Sequence, residues 1–188
     1  SAEIATAFFR RITPTILDVA SLEAAEMIKL INNTYRDVMF GYANEIALIC
    51  EHAGLDAVDI IKAANLGYPR SNVPLPGFVG GTCLKKDPYI LAHSCRKHSF
   101  HPEVVLSGRR ANERLVHSVE QRITRVLLAQ GKRVEDVNVV VGGIAFKGRP
   151  ETDDIRDSVS LELIECLRTR GYRNIVVHDF AVSQDKLL

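Results

Sequence analysis

Ser21-Leu-Glu-Ala-Ala-Glu-Met-Ile-Lys-Leu-Ile-Asn-Asn-Thr-Tyr-Arg-Asp-Val-Met-Phe-Gly-Tyr-Ala-Asn-Glu-Ile-Ala-Leu-Ile-Cys-Glu-His-Ala-Gly54 contains no proline and predicts one long helix. Ser21 is placed to cap it, Glu23 and Glu26 suit the positive end of its dipole, and Gly54 reads as the C-cap. Only Gly41 interrupts, at a cost of about 1 kcal/mol relative to alanine. The second half, from Val38 to Ile49, is apolar on more than one face. One apolar stripe suffices for a surface helix, so this one is expected to be covered on several sides, with self-association as the cover. The polar exceptions are Lys29 and Asn33, which share a face one turn apart, and Asn44 and Glu45 inside the apolar half. Taken singly, Lys29 and Asn33 read as ordinary solvated side chains.

Working outward, residues 2–12 have helical spacing ended by Pro14, and Thr15 to Val19 suggests a short strand. The abrupt helical opening reads as residues 1–20 continuing a preceding domain. Downstream, a short helix is expected from Asp56 or Ala57 to about Ala64, then a Gly/Pro loop carrying Arg70 and Asn72. Further helices are expected from Asp87 or Pro88 to about His98 and from about Pro102 to Ala129. At Val137 the texture changes to a buried β run, an amphipathic helix over 158–170 and a second buried strand at Asn174 to Asp179, a βαβ unit. The fold class is therefore a mainly α central domain with long helices (21–133) followed by a partial α/β, Rossmann-like domain (134–188). Two strands are too few for a stable doubly wound sheet, so more strands are expected to accompany them. The loop from Lys147 to Ser158 lies at the carboxyl end of the first strand, where open α/β sheets hold ligands.

The segment Pro76-Gly-Phe-Val-Gly-Gly-Thr-Cys-Leu-Lys-Lys-Asp-Pro88 places a thiol on a glycine loop beside two cations and a carboxylate. Gly80 and Gly81 permit close backbone approach of a ligand. Lys85, Lys86 and a following helix N-terminus favour thiolate at Cys83. The same loop also reads as a glycine turn with an incidental buried cysteine. The rest of the chain excludes more than it selects. Its 188 residues are 46% apolar and 25% charged with a net charge of +1, which argues against nucleic-acid and membrane-surface partners. No apolar run approaches the roughly 20 residues of a membrane span. Cys50, Cys83, Cys95 and Cys166 have neither zinc spacing nor the density of a secreted disulfide scaffold, so a reducing cytoplasm is expected. His93, His98, His101 and His117 have no metal-ligand spacing, and no GxGxxG follows a strand.

Five segments together resemble the UDP-glucose/GDP-mannose dehydrogenase family of nucleotide-sugar dehydrogenases: residues 23–34, Ala43-Asn-Glu45, Gly80-Gly-Thr-Cys-Leu-Lys-Lys-Asp87, Ala145-Phe-Lys147 and Asp154-Ile-Arg-Asp-Ser158. The Arg70 loop and Asp87-Pro-Tyr89 look closer to enzymes acting on UDP-N-acetylhexosamines. The resemblance implies NAD-dependent oxidation of a sugar C6 alcohol to a carboxylate, with Cys83 as nucleophile, Lys29 and Asn33 as oxyanion stabilisers and Asp87 as the residue orienting water. It assigns Arg70, Phe78, Gly80, Phe146 and Lys147 to the nucleotide-sugar substrate and Lys86 and Arg156 to NAD. It implies no metal, a homodimer through the long central helix with Arg70 reaching the partner's substrate, and an N-terminal Rossmann domain and catalytic glutamate outside this chain. The 188 residues alone are then expected not to turn over. The alternative is a non-catalytic oligomerisation or nucleotide-binding module. A cysteine hydrolase lacks an identifiable histidine partner.

Overall fold

The computed structural model describes residues 2–186. Helices α1 (Ala2–Phe9), α2 (Leu22–Ala53), α3 (Ala57–Asn65), α4 (Thr82–Cys95) and α5 (Glu103–Ala129) precede β1 (Asn138–Gly142), α6 (Val159–Arg170) and β2 (Asn174–His178). The α2 caps match the expectation from sequence: Ser21 Oγ accepts from the Ala24 N–H at 3.2 Å, and Gly54 takes the left-handed conformation at φ 68°. Helices α4 and α5 both pack on α2.

Gly41 marks the place where α2 and α5 meet backbone to backbone. A Cβ there would lie 2.5 Å from the carbonyl oxygen of Gly108, and one on Gly108 would lie 2.9 Å from Val38 Cα. The helix-interior glycine thus trades propensity for close approach. On another face of α2, Ile28, Ile31, Tyr35, Tyr42 and Ile49 form an exposed stripe at helical spacing. The helix is therefore covered by α4 and α5 on one side, and this stripe is open among the described residues.

Three expectations change. Thr15 to Val19 is not a strand: it runs as irregular chain with Leu17 exposed, and no strand among the described residues pairs with it. Helix α4 begins at Thr82 instead of Asp87, because Gly81 at φ 89° turns the chain into it, and Pro88 lies inside the helix. Finally, β1 and β2 are not buried on both faces. They pair in parallel, with Asn138 opposite Asn174 and Gly142 opposite His178. One face packs on α6 and on the second half of α5, with Val141, Leu163, Leu167 and Tyr172 in its core. Val140 and Val176 on the other face are exposed. Helix α5 thus serves both parts of the chain, packing on α2 and on the α/β layer.

Candidate functional site

The site is built where α2 and α4 cross. Asp87, fully buried on α4, accepts hydrogen bonds at Oδ2 from Lys29 Nζ at 2.9 Å and from Asn33 Nδ2 at 2.6 Å. The helical spacing of Lys29 and Asn33 aims both donors at one oxygen and leaves Asp87 Oδ1 without a hydrogen-bond partner among the described residues. Burial works against the Asp87 carboxylate. The hydrogen bonds from Lys29 and Asn33 and the charges of Lys29 and Lys86 outweigh it, holding the group below its ordinary value. The hydrogen bond to Asp87 and its charge in turn hold Lys29 above the usual lysine range, so near neutral pH the pair is ionised.

Cys83 lies one turn before Asp87, in the first turn of α4, where backbone N–H groups have no intrahelical partner. It is exposed, whereas Cys50 is buried and Cys95 and Cys166 are partly buried. Gly80 and Gly81 do make a close approach possible, but to the protein itself. A Cβ on Gly80 would meet the Asp157 carbonyl oxygen at 2.9 Å, and one on Gly81 would meet the Phe146 ring at 2.8 Å. The Gly81 N–H also donates to the Asp157 carbonyl at 3.1 Å. The glycine pair therefore joins the cysteine loop to the end of the α/β layer. That end is itself fixed: the Asp179 carboxylate accepts from the backbone N–H groups of Ala145, Ala181, Ile144 and Val182, which pull it down to about 2.

Phe78, Gly80, Cys83, Phe146 and Lys147 line one cavity of about 380 Å3. Lys147 Nζ lies 5.3 Å from the centre of the Phe146 ring. Three residues that sequence reasoning did not single out, Arg36, Phe40 and Arg149, line it as well. Arg36 had a signal, since it follows Asn33 by one turn on α2. The cavity carries the cations Arg36, Lys147 and Arg149 and no carboxylate, a lining suited to an anionic ligand.

The other predicted site residues lie elsewhere. Lys86 lines a separate cationic cavity of about 750 Å3 with His93, Arg96, His101 and Arg110. Arg156 folds back onto Asp154, with Nη2 2.7 Å from Oδ2. Arg70 lies over the Tyr68 ring at 5.8 Å, on the exposed loop after α3. Among the described residues no three His, Cys, Asp or Glu side chains converge as a metal site, and no helix is long and apolar enough to cross a membrane.

Residues 23–114 match the family model of the UDP-glucose/GDP-mannose dehydrogenase family, central domain. Residues 23–114 belong to the central domain of this family of nucleotide-sugar dehydrogenases. The chain is 34% identical to Protein CapL of Staphylococcus aureus over 97% of its own length and 42% of that protein. It is 32% identical to the UDP-N-acetyl-D-glucosamine 6-dehydrogenase of Pseudomonas aeruginosa over 95% of its own length and 41% of the relative. The solved UDP-D-ManNAc dehydrogenase of Pyrococcus horikoshii superposes with a TM-score of 0.86 at 31% identity, covering 97% of this chain and 42% of that one. The chain thus spans about two fifths of the length of the relatives it matches. The UDP-N-acetylhexosamine members of the family are prominent among them, as the sequence resemblance implied.

Proposed function

We propose that these residues form the central domain and the opening of the sugar-nucleotide domain of an NAD-dependent dehydrogenase that oxidises the C6 alcohol of a UDP-N-acetylhexosamine or UDP-hexose to a carboxylate. The observation that carries the reading is the buried Asp87, bridging Lys29 and Asn33 one turn from the exposed Cys83. In this reading Arg36, Lys147 and Arg149 hold the diphosphate, and Phe78 and Phe146 wall the cavity that takes the sugar nucleotide. Lys29 and Asn33 stabilise oxygen charge at C6. Cys83 adds to the aldehyde, its sulfur bonding C6 and its proton passing to the oxygen, to give a thiohemiacetal. Loss of a second hydride and a proton leaves a thioester. Water attacks the thioester carbon and the C–S bond breaks, releasing the acid and restoring the thiol, while Asp87 holds Lys29 and Asn33 in place.

NAD supplies the hydride acceptor in both oxidations. Lys86 fits its phosphates by charge, in a cavity lined by cations and free of carboxylates. Arg156 would have to leave Asp154 to reach it.

The test is NADH formation by the full natural polypeptide that contains these residues, with UDP-N-acetylglucosamine, UDP-N-acetylmannosamine and UDP-glucose offered separately. We expect two NADH per sugar with at least one acetamido substrate, and binding without NADH from residues 1–188 alone. Binding without NADH from the full polypeptide would replace this reading with that of a non-catalytic nucleotide-binding module. The exposed stripe Ile28, Ile31, Tyr35, Tyr42 and Ile49 is proposed as the face of a homodimer. Light scattering should then report twice the protomer mass, and a monomer at micromolar concentration would rule that face out.

A further inference from the structure

We infer that a buried relay of four side chains, Asn44, Asn112, Asp37 and Arg109, positions the Cys83 loop by gripping it at both ends. The inference rests on the proposed function for its catalytic consequence, though not for its geometry. At the first end, a single amide holds both backbone groups of Gly77: its N–H donates to Asn44 Oδ1 at 2.8 Å, and Asn44 Nδ2 donates to its carbonyl at 3.0 Å. Asn44 Nδ2 also donates to Asn112 Oδ1 at 2.8 Å. Asn112 Nδ2 then donates to Asp37, to the carbonyl at 2.8 Å and to Oδ1 at 2.9 Å. Arg109 Nη1 donates to the same Oδ1 at 2.7 Å and, at the second end, to the Leu84 carbonyl at 2.9 Å.

That last acceptor is available for a reason written in the sequence. In an α-helix the Leu84 carbonyl would take the N–H of residue 88, and residue 88 is proline, which has none. The helix-interior proline therefore frees one carbonyl, and Arg109 on α5 takes it. Gly77 and Leu84 bracket the segment with the two glycines and Cys83, so α2 and α5 hold that segment through side chains that do not themselves line its cavity.

The relay is built for position more than for stability. All four side chains are almost fully buried, the most exposed at 3%. Arg109 Nε nevertheless faces Glu113 Oε1 at 3.5 Å without a hydrogen bond, and Asp37 Oδ2 has no hydrogen-bond partner among the described residues. Burial pushes the Asp37 carboxyl up to about 6 against the pull of Arg109 and Asn112. A buried ion pair of this kind stabilises little compared with apolar residues of the same volume. The two asparagine amides, in contrast, use both donors and an acceptor in a fixed geometry that no apolar residue reproduces.

The discriminating variant is the double substitution Asp37→Leu with Arg109→Met in the full natural polypeptide. It removes the bond to Leu84 and leaves no buried charge unpaired. Its melting temperature should equal or exceed the parent's. Backbone amides of residues 78–85 should exchange with deuterium about tenfold faster while those of α6 stay unchanged. The kcat should fall about 100-fold, the cost of a displaced reacting group, with KM for the sugar nucleotide nearly constant. Asn44→Ser, which releases Gly77, should act in the same direction. A folded variant with parental exchange in 78–85 overturns the relay, and so does unfolding of both variants, which would make the four residues a source of stability. If the parent itself forms no NADH, the proposed function fails and the exchange measurement alone decides the relay.

Discussion

Replacing Cys83 with alanine should reduce formation of the sugar acid by at least about 1,000-fold in the full natural polypeptide, a loss typical of removing a covalent nucleophile. The first hydride transfer needs no sulfur, so the variant should still form up to one NADH per sugar and leave an aldehyde. Binding of the sugar nucleotide, measured by calorimetry, should change little, because Arg36, Lys147 and Arg149 remain. Two NADH per sugar from the alanine variant would remove Cys83 from the chemistry. The Lys29 and Asp87 pair predicts the acid side of the pH profile. Asp87 has its carboxyl held below the ordinary value in the folded protein, so its ion pair persists through the usual carboxylate range and is lost only as pH falls below it. Activity loss at mildly acid pH should therefore be traced to another group.

How much of this was legible varied with how local the cause was. The limits of α2 were readable because Ser21 and Gly54 act within one turn of themselves. The start of α4 was not, because Pro88 is ordinarily at home in a first turn and here sits deeper, where Arg109 takes up the carbonyl it leaves free. Lys29 and Asn33 looked like solvated polar residues one at a time, and Asp87 like one more charge of the cysteine loop. The family resemblance grouped them, and the crossing of α2 over α4 gives that grouping its hydrogen bonds. Asp37, Arg109 and Asn112 escaped notice because a polar or charged residue in a long helix reads as exposed. Only the backbone contact between Gly41 and Gly108 brings α5 close enough to bury them. The glycines of the cysteine loop carried a real signal of close approach, and sequence could not say that Phe146 and Asp157 are what approach.

Gly41→Ala should destabilise the chain by about 2 kcal/mol, even though alanine is the better helix former by about 1 kcal/mol. The added methyl would lie 2.5 Å from the Gly108 carbonyl oxygen, and that neighbour is backbone, so no rotamer change can relieve the contact. The helices must move apart, and in a domain of this size such a loss lowers the melting temperature by about 4–8 °C. Gly142→Ala is the control: the added methyl meets nothing within 4 Å and the backbone is not in the left-handed region, so its effect should stay within about 0.5 kcal/mol. The consequence extends to the site. Helices α2 and α5 carry Asn44 with Asn112 and Asp37 with Arg109, so any separation at Gly41 lengthens both links that hold the Cys83 loop. Gly41→Ala should therefore lose more kcat than its stability loss accounts for at temperatures where it is fully folded. A variant that melts at or above the parent temperature would mean that α2 and α5 do not meet at this crossing, and the relay built on it would fall with it.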